Sequence, residues 1–574
     1  MNTLLQQQAA PAESRATALA PYVTADTSAR IDLRLDANEG PVPPMDLPAI
    51  LARLGPEVLR RYPSTAPFEA ELAAKWGAAP ERVLVCSGGD DAIDRACRAC
   101  LGPGADIILP SPTFEMIGRY ARLAGARTIE PAWWTGPYPT DAVIESITPD
   151  TRMIVVVSPN NPTGAVATAE DLRRLAAAAP EATLLVDLAY AEFADEDLME
   201  TALSLPRAVV VRTFSKAYGL AGLRVGYAVG PADLIRTMRA VGAPYPASAL
   251  SLAVASDQLR TASSRVAATT SKVRQERLAL GLLLEELGAA PFESQANFVL
   301  AEFADPDWVW SALRGVGIAT RRFRTGSRLD KCLRISCPAN QADFERLCAA
   351  LRAAARPRAL LLDMDGVLAD VSASYRTAIM QTAAHLGARV TPEQVAAAKM
   401  EPDSNNDWVV TKRLLAAQGF NVPLETVAAI FNDVYRGRDG RPGLESTERL
   451  IPGLATITRL ASQVKLGIVT GRPRRDAAVF LERFGLKDRI GCLVCMEDAP
   501  PKPSPEPLRL ALRTLGVGEA WFVGDTPDDI NAARAAGVVP IGIAAPGDAS
   551  TTALSCAGAA RVIESLDELE ELLP

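Results

Sequence analysis

A lysine in the middle of the chain lies near several residues that suit covalent chemistry on amines. Lys216 stands in the stretch TFSKAYG, eight positions before Arg224. Taken alone, a lysine in such a stretch is most simply a solvated surface residue. Upstream, however, Asp187 ends the apolar run TLLVD, Tyr190 follows it, and Asn161 lies in the turn SPNNPTG. Because a lysine amine can form a Schiff base and then move a proton, the set indicates catalysis through such a bond.

Each of these residues corresponds to one part of a binding site for pyridoxal 5′-phosphate (PLP). Lys216 would form the Schiff base, and Asp187 would keep the pyridine nitrogen protonated so that the ring can act as an electron sink. Asn161 and Tyr190 would hydrogen-bond the ring 3′-oxygen. Backbone N–H groups at the start of a helix bind phosphate, and the turn CSGGDD precedes a helical segment. The residues predicted around the cofactor phosphate are Gly89, Asp90, Thr213, Ser215 and Arg224.

A second group of residues, nearer the C-terminus, indicates phosphoryl transfer. Asp363 and Asp365 end the apolar segment ALLLDMD, and Thr470, Lys502 and Asp525 follow in the segments GIVTGR, PKP and WFVGD. Two carboxylates at a strand end are also compatible with a polar turn, but the ordered segments that follow favour a site. Since a carboxylate can attack phosphorus, we predict Asp363 as the nucleophile and Asp365 as the neighbouring acid and base.

The same segments predict a magnesium site. We expect Asp363, Asp365 and Asp525 to be its ligands, because carboxylate oxygens on a small site favour Mg2+ over zinc. Asp529, four residues after Asp525, is placed to steady this acidic cluster or Lys502. The residues predicted to hold the substrate phosphate are Thr470, Gly471 and Lys502.

The hydrophobic pattern predicts the elements that bring these residues together. Short apolar runs such as RVLVCSGG, RMIVVVSP and TLLVDLAY alternate with stretches of helical period such as DLRRLAAAA. Strands that are apolar throughout are typical of parallel sheets covered by helices on both faces. The pattern restarts after the stretch AAARPR, at 353–358, with the strand ALLLDMDGV. We therefore predict an α/β fold in two successive parts.

The chain length sets the number of domains that we expect. The 574 residues exceed the size at which one hydrophobic core stops growing, about 250–300 residues. We predict an N-terminal arm at 1–29, a first domain at 30–355 and a second at 358–574. Within the second domain, residues 372–453 have mainly helical patterns.

Composition excludes several classes of protein. The formal charge of −8 is spread without long single-sign runs, so we expect no nucleic-acid partner and no membrane partner. No run approaches the roughly 18 apolar residues of a membrane span, and the first residues lack the pattern of a signal peptide. With nine cysteines in 574 residues, we expect reduced thiols and a cytoplasmic location.

With a single histidine, His385, we expect no Ser-His-Asp triad, no His-rich zinc centre and no haem site with two histidine ligands. Its helical surroundings indicate a structural residue. Two Cys-x-x-Cys pairs, at 97/100 and 492/495, are interpreted as core residues of a helix and a strand. Spacing alone is weak evidence for a metal, so we predict no thiolate site.

Residues from about 30 to 350 resemble the fold-type I, PLP-dependent aminotransferases, and in particular the histidinol-phosphate aminotransferase family. The matching segments, in chain order, are LDANE, RYP, the Gly-Gly-Asp turn, PTF, SPNNPTG, the pair Asp187 and Tyr190, the Lys216 segment, GIATR and LRI. The first domain is accordingly expected to be an aminotransferase with PLP as its cofactor.

The resemblance also implies roles for residues outside the core motifs. Phe114 would stack on the cofactor ring, and Arg334 would bind the α-carboxylate of the substrate or of glutamate. Tyr62 would reach the cofactor phosphate of a neighbouring subunit, which implies a homodimer. Arg321 and Tyr22 match positions that contact a substrate phosphate, although a second arginine follows Arg321 where the family usually has aspartate.

The last part of the chain, about 358–545, resembles the haloacid dehalogenase (HAD) superfamily of phosphatases. The resemblance rests on the DxD motif followed by Thr470, Lys502 and the GDxxxD segment. It implies a doubly wound α/β domain in which 372–453 forms a helical cap. Asp365 argues against dehalogenase chemistry, which has no use for an acid there. Asn405, Asn406 and Arg472 are unranked candidates for selecting the phosphatase substrate.

Together the two parts predict a bifunctional enzyme of histidine biosynthesis. The first would exchange an amino group between glutamate and imidazole acetol phosphate, and the second would hydrolyse the phosphate ester of the resulting histidinol phosphate. Other readings stay open. The first domain could transaminate another keto substrate or act as a PLP-dependent decarboxylase. The second could be a sugar-phosphate mutase or a sensor without activity.

Overall fold

The computed structural model describes residues 31–399, 401, 406–438, 441–544 and 551–573. Within these ranges every helix is too short or too polar to traverse a bilayer. The strands are β1 (Leu33–Leu35), β2 (Val83–Cys86), β3 (Asp106–Ile108), β4 (Arg127–Ile129), β5 (Thr151–Val157), β6 (Thr183–Asp187), β7 (Ala208–Thr213), β8 (Gly226–Val229), β9 (Ala290–Pro291), β10 (Phe298–Glu302), β11 (Ile318–Arg322), β12 (Cys332–Ser336), β13 (Ala359–Leu362), β14 (Ala369–Asp370), β15 (Arg449–Leu450), β16 (Lys465–Val469), β17 (Ile490–Val494), β18 (Ala520–Gly524), β19 (Val539–Ile543) and β20 (Arg561–Ile563).

The helices alternate with these strands along most of the chain. They are α1 (Leu47–Ala52), α2 (Ala66–Lys75), α3 (Gly88–Cys100), α4 (Glu115–Ala124), α5 (Thr140–Glu145), α6 (Ala169–Ala178), α7 (Met199–Ser204), α8 (Ala232–Ala240), α9 (Ala249–Thr261), α10 (Ser263–Glu286), α11 (Pro306–Gly315), α12 (Gln341–Ala355), α13 (Tyr375–His385), α14 (Pro392–Lys399), α15 (Asp407–Ala417), α16 (Leu424–Arg436), α17 (Leu454–Gln463), α18 (Arg474–Arg483), α19 (Glu506–Leu515), α20 (Pro527–Ala536), α21 (Thr551–Ala557) and α22 (Leu569–Leu572).

The described residues form two compact units. The first comprises Leu35–Ala304 and Arg321–Phe344, and the second comprises 31–34, Asp305–Thr320 and the described part of Glu345–Pro574. The second unit thus includes α11 and the later part of α12, which precede the predicted boundary. In it, Trp308 of α11 lies edge-on to Trp521 with ring centroids 4.8 Å apart, and Trp521 Nε1 donates to the carbonyl of Ala353 at 2.7 Å. The domain boundaries at 355 and 358 stay a prediction.

A seven-stranded sheet with the order β2-β8-β7-β6-β5-β3-β4 forms the centre of the first unit. Strands β5, β6 and β7 are buried along their whole length apart from Arg152, as the uniform apolar runs predict. They pair in parallel, whereas β8 runs antiparallel to both β2 and β7. The prediction of parallel sheets therefore needs correction at β8, because it follows β7 through a short return rather than a helical crossover. Strand β12 also pairs antiparallel with both β10 and β11.

This topology places the carboxyl ends of β2, β5, β6 and β7 at the same edge of the sheet. A second sheet has the order β1-β11-β12-β10-β9. Its strands β11 and β12 are antiparallel, in a register that sets Arg321 opposite Arg334. Most of the residues predicted for the PLP site lie near the ends of the large sheet and on these two strands.

The second unit contains a six-stranded parallel sheet with the order β17-β16-β13-β18-β19-β20. Fully buried apolar side chains, among them Leu361 and Phe522, pack between this sheet and helices such as α19. Strands β13, β16 and β18 are neighbours, and they end immediately before Asp363, Thr470 and Asp525. The predicted phosphatase residues therefore meet at one edge of the sheet.

Helices α13, α14, α15 and α16 form an insertion between two short strands of this unit. Strands β14 and β15 pair antiparallel and bracket the insertion, which we call the helical insertion (residues 371–448). Its own small core contains Ala383, Leu415 and Val427. Helices occupy the stretch predicted to be a cap. The α/β class predicted for both parts agrees with the observed sheets.

Candidate active sites

A cavity of about 440 Å³ lies at the carboxyl edge of the seven-stranded sheet. Its walls combine residues from strand ends, from the start of α3 and from the second sheet. Most of the residues predicted for the PLP site line this single space. They are Gly89, Asp90, Phe114, Asn161, Asp187, Tyr190, Thr213, Ser215, Lys216, Arg224, Arg321 and Arg334.

Lys216 lies just after β7, half-buried at the floor of the cavity. Its Nζ donates to the carbonyl of Ala37 at 3.1 Å and lies 5.6 Å from the ring centroid of Tyr190. The loop that carries it packs closely against the segment around Gly40, where a Cβ atom would lie 2.0 Å from the Lys216 carbonyl oxygen. The amine is thus held by a backbone carbonyl, and the loop that carries it is held by a backbone contact.

Asp187 is the buried carboxylate of this cavity. It ends β6, and its Oδ1 accepts a hydrogen bond from the Ala189 N–H at 3.0 Å. Burial raises the pKa of Asp187 to about 6, while the hydrogen bond from Ala189 acts in the opposite direction. A protonated pyridine nitrogen would give this carboxylate a positive partner, which fits the role predicted for it.

The turn before α3 forms a cradle with room for a phosphate group. Gly88 has a φ of +80°, and a Cβ there would lie 2.6 Å from Nη2 of Arg224. A Cβ at Gly226 would come within 2.5 Å of the Gly88 backbone. Arg224 donates to Asp90 at 3.1 Å, and Thr213 Oγ1 donates to Ser215 Oγ at 2.9 Å. The N-terminus of α3, a guanidinium and two hydroxyls therefore surround one small space, which fits the phosphate of PLP.

Two sets of hydrogen bonds fix the side chains on the other side of the PLP cavity. Arg334 donates to the Asn161 side chain and to the carbonyl of Asp36, the latter at 2.7 Å. Asn38 donates to the Tyr190 hydroxyl at 3.0 Å. Asn38 is buried and has a φ of +53°, a conformation that asparagine tolerates better than most residues. The sequence motif LDANE contains Asn38, but sequence reasoning gave this residue no role.

Two predicted residues do not line the cavity. Tyr62 is 79% exposed and stacks on Tyr245, with ring centroids 4.3 Å apart. Tyr22 lies outside the described residues. The role of each stays a prediction.

A second, smaller pocket lies at the carboxyl edge of the six-stranded sheet. Asp363, Asp365, Gly471 and Asp525 come to it from the loops after three neighbouring strands. Oxygen atoms of Asp363, Asp525 and Asp529 lie within 4.8 Å of one another, as in a site for a metal ion. Such a cluster of carboxylate oxygens fits Mg2+.

Lys502 balances part of this negative charge. Its Nζ lies 2.6 Å from Asp529 Oδ1 and 3.1 Å from Asp363 Oδ1, and it also donates to the carbonyl of Val469 at 3.2 Å. Burial raises the pKa of Asp363 to about 7; Lys502 opposes this shift, and Asp529 reinforces it. Burial and the neighbouring carboxylates also raise the pKa of Asp525. A divalent cation would offset this repulsion.

The side chains of Asp365 and Thr470 have other partners. Asp365 Oδ1 accepts a hydrogen bond from Nε of Arg472 at 2.6 Å, and its side chain is not in the carboxylate cluster. Thr470 Oγ1 accepts from the Arg472 N–H at 3.2 Å. Asp529, by contrast, is fixed towards the cluster by Thr526, which donates to it through both its N–H and its hydroxyl. The metal and phosphate roles stay predictions.

The helical insertion adds residues that sequence reasoning did not select. Tyr375, Arg376, Lys399 and Asp407 line the same pocket, and Lys399 Nζ lies 2.6 Å from Asp407. These polar residues come from separate helices, so no regular spacing in the sequence could have identified them. Asn406 caps α15 by accepting from the N–H groups of two following residues, and Asn405 lies outside the described residues.

The remaining candidates lie away from both pockets. His385 is exposed on α13, where its Nδ1 lies 2.9 Å from the Gln381 carbonyl. Cys97 is buried within α3 and Cys492 within β17. Burial raises the pKa of both thiols, which does not favour thiolate chemistry.

The residues gathered in the two pockets suit a PLP-dependent transferase and a phosphoryl hydrolase, and comparison with known proteins agrees with these two classes. Residues 44–351 match the family model for class I and II aminotransferases, and residues 357–537 match that for haloacid dehalogenase-like hydrolases. The chain belongs to the class I and II aminotransferase family, whose members depend on PLP, and it carries a HAD-like hydrolase domain of a kind that typically uses Mg2+. It is an enzyme that acts on small molecules.

Two relatives are informative. Histidinol-phosphate aminotransferase of Paracoccus denitrificans (strain Pd 1222) is 35% identical over 311 residues, which cover 53% of this chain and 84% of the relative. Imidazoleglycerol-phosphate dehydratase of Phytophthora nicotianae is 46% identical over 198 residues, which cover 33% of this chain and 44% of that protein. The chain thus spans less than half of the second relative.

Among solved structures, histidinol-phosphate aminotransferase of Sinorhizobium meliloti in complex with PLP matches with a TM-score of 0.52 and 23% identity. The match covers 56% of this chain and 91% of that one, and it shows the fold. A double mutant of Thermus thermophilus aspartate aminotransferase matches with a TM-score of 0.51 and 25% identity over 59% of this chain and 98% of that one. The predictions of fold class, of PLP and of an aminotransferase fused to a HAD-like hydrolase are therefore confirmed.

Proposed function

We propose that this enzyme carries out two consecutive reactions on imidazole-bearing phosphate esters. The first half would transfer the amino group of glutamate to imidazole acetol phosphate, which gives histidinol phosphate and 2-oxoglutarate. The second half would hydrolyse histidinol phosphate to histidinol and phosphate. The observation that carries the proposal is the presence of two separately built sites, one around Lys216 and one around Asp363, on a single chain.

In the first site, each side chain has a distinct task. PLP, when bound, supplies an electron sink that weakens the Cα–H bond of the attached substrate. Lys216 Nζ would bind the cofactor and carry the Cα proton. Asp187 would hold the positive charge of the ring nitrogen, and Arg334 would bind the α-carboxylate of glutamate through its planar fork. Arg321, opposite Arg334 across β11 and β12, would bind the phosphate of the larger substrate.

In the second site, the ester would be cleaved in two steps. The Asp363 carboxylate forms a bond to phosphorus while the ester P–O bond breaks, and the departing oxygen takes a proton from the Asp365 carboxyl group. A water oxygen then bonds to phosphorus while the Asp363–phosphorus bond breaks, and the water proton passes to Asp365. Lys502 and Thr470 would hold the phosphate oxygens, with Mg2+ held by Asp363 and its neighbours.

The choice of substrate is supported by the names of the relatives. One is named for histidinol phosphate and the other for imidazoleglycerol phosphate. Both compounds are phosphate esters that carry an imidazole ring, and the product of the proposed transamination is itself such an ester. We also propose a cytoplasmic location, which the nine free cysteines support, and no nucleic-acid or membrane partner, which the net charge of −8 supports.

The proposal is tested by measuring both reactions in one set of variants. Phosphate release from histidinol phosphate is measured with and without Mg2+, and glutamate formation from histidinol phosphate and 2-oxoglutarate is measured separately. The wild type is expected to show both. Asp363→Asn is expected to lose phosphate release by a factor of at least about 10³ and to keep transamination, whereas Lys216→Ala shows the reverse.

Each variant is therefore the matched control of the other. Release of CO2 without a need for 2-oxoglutarate would identify a decarboxylase instead. Isomerisation of a sugar phosphate without release of phosphate would identify a mutase. Hydrolysis of unrelated esters while histidinol phosphate is ignored would contradict the proposed substrate.

A further inference from the structure

Arg472 is a fully buried cation beside the phosphatase pocket. Its Nε donates to Asp365 Oδ1 at 2.6 Å, while Nη1 and Nη2 donate to the two carboxylate oxygens of Glu448 at 3.0 Å each. Its guanidinium also lies 4.7 Å from the ring centroid of Tyr375 and 5.4 Å from that of Phe480. One planar fork thus satisfies two carboxylates, a geometry that a lysine ammonium does not reproduce.

Glu448 connects this arginine to both ends of the helical insertion. Glu448 lies immediately before β15, where the insertion ends, and it is 3% exposed. Its Oε1 accepts from the hydroxyl of Ser374, which precedes α13 at the start of the insertion, at 3.0 Å. The hydroxyl of Tyr435, on α16, donates to the same oxygen at 2.9 Å. The start, the end and one helix of the insertion therefore converge on a single carboxylate.

We propose that Arg472 is a positioning residue for Asp365. Through its bonds to Asp365 and Glu448, it fixes the Asp365 side chain relative to the helical insertion. This inference rests on the proposed phosphatase function, in which Asp365 donates a proton to the departing oxygen and later accepts one from water. Both transfers need the Asp365 carboxyl group within hydrogen-bond reach of the reacting oxygen. Asp365 lines this pocket, whereas Arg472 lines only the smaller pocket next to it and reaches Asp365 through one oxygen.

The chemistry supplies a test that separates positioning from stability. An alkyl phosphate such as histidinol phosphate has a basic leaving oxygen, so its first step needs the proton from Asp365. The p-nitrophenolate ion leaves without a proton, so with p-nitrophenyl phosphate only the second step, attack by water, needs Asp365. A displaced Asp365 therefore slows both steps with histidinol phosphate, but only the second step with p-nitrophenyl phosphate.

The experiment compares Arg472→Met with the wild type by rapid mixing with each ester in the presence of Mg2+. With p-nitrophenyl phosphate, the variant is expected to release about one p-nitrophenol per active site in a fast phase, followed by turnover at least about tenfold slower than in the wild type. With histidinol phosphate, kcat is expected to fall about 10–100-fold without a fast phase, and KM to change less than about threefold.

Two further variants keep the test decisive. Glu448→Gln keeps the shape of the side chain but removes the negative charge that binds Arg472, so it is expected to show the same kinetic pattern more weakly. If Arg472→Met does not fold, Glu448→Gln provides the test. Arg436→Met is the matched control. Arg436 also ties the insertion to the rest of the unit, through two bonds of 3.0 Å to buried Asp476, but it does not touch Asp365. It is expected to leave the kinetics of both esters unchanged.

An equal loss of both kinetic phases with both esters, or the same loss in Arg436→Met, would overturn the inference, since either result reports general loosening. A wild type that releases no phosphate from either ester would contradict the proposed phosphatase function, and the inference with it.

Discussion

Asp187 is a buried carboxylate of the first site, and its protonation affects the stability of the protein. It is buried at the end of β6, and burial raises the pKa of its carboxyl group to about 6. In the unfolded chain an aspartate titrates near about 4. Between these two values the folded protein without cofactor binds the extra proton, so its stability falls as pH rises through that window.

Replacing Asp187 with asparagine is expected to remove this loss of stability at high pH. At pH 8 the free energy of unfolding of the Asp187→Asn protein without cofactor should exceed that of the wild type by roughly 2–3 kcal/mol, and the difference should vanish near pH 4. Transamination should fall at least about 100-fold, because asparagine does not hold the charge of the ring nitrogen. Calorimetry at the two pH values and steady-state kinetics provide the measurement. A lower unfolding temperature for the variant at pH 8 would contradict this account of Asp187.

At this scale the sequence predicted the residues that carry recognisable chemistry. Lysine, aspartate and arginine at strand ends could be assigned to one cavity because their types and order match a cofactor. Arg472 and Glu448 could not be paired, because the bond between them and the bond to Asp365 join segments far apart in the chain. Nothing in local spacing encodes such contacts.

Close approach between two loops, rather than a strand or helix, sets the position of the Lys216 segment. Gly40 lies against the Lys216 carbonyl and against Gly219, whose φ is +69°. The segment of Gly40 also carries Ala37, the hydrogen-bond acceptor of the Lys216 amine. A side chain at Gly40 would therefore separate the two loops and move the amine.

We expect Gly40→Ala to lower both cofactor affinity and stability. A Cβ would lie 2.0 Å from a backbone oxygen, so the backbone must shift, at a cost of about 1–3 kcal/mol. The dissociation constant for PLP, followed by absorbance, is expected to rise at least about tenfold. Gly102→Ala is the control, since nothing lies within 4 Å of a Cβ at that position. Equal PLP affinity in the two variants would show that the loop contact is unimportant.

The elements themselves could be predicted where burial dictates composition. The fully buried strands β5, β6 and β7 read as continuous apolar runs, and the restart of the pattern at β13 marked the second sheet. The direction of β8 could not be predicted, since an apolar run does not encode whether a strand is parallel to its neighbours. The grouping of α11 with the second unit depends on tertiary contacts, such as that of Trp308 with Trp521.

For the whole molecule, three exposed residues of the first unit are consistent with the homodimer predicted from the sequence. Val42, Leu59 and Tyr62 are 91%, 81% and 79% exposed, which is unusual for large apolar side chains so close in the chain. We expect sedimentation to give about twice the chain mass of 60.9 kDa. Tyr62→Phe should keep the dimer and weaken PLP binding about tenfold, because it removes the hydroxyl proposed to reach the partner's cofactor phosphate. A monomeric wild type, or unchanged PLP affinity in Tyr62→Phe, would contradict the proposal.

In the proposed function both sites serve one reaction sequence, and one measurement tests this directly. Imidazole acetol phosphate is given to the wild-type enzyme with Mg2+ and PLP, and phosphate release is followed with and without glutamate. We predict release that depends on glutamate, yields histidinol, and is abolished by either Lys216→Ala or Asp363→Asn. Release that proceeds equally without glutamate, or accumulation of histidinol phosphate without release of phosphate, would contradict the claim.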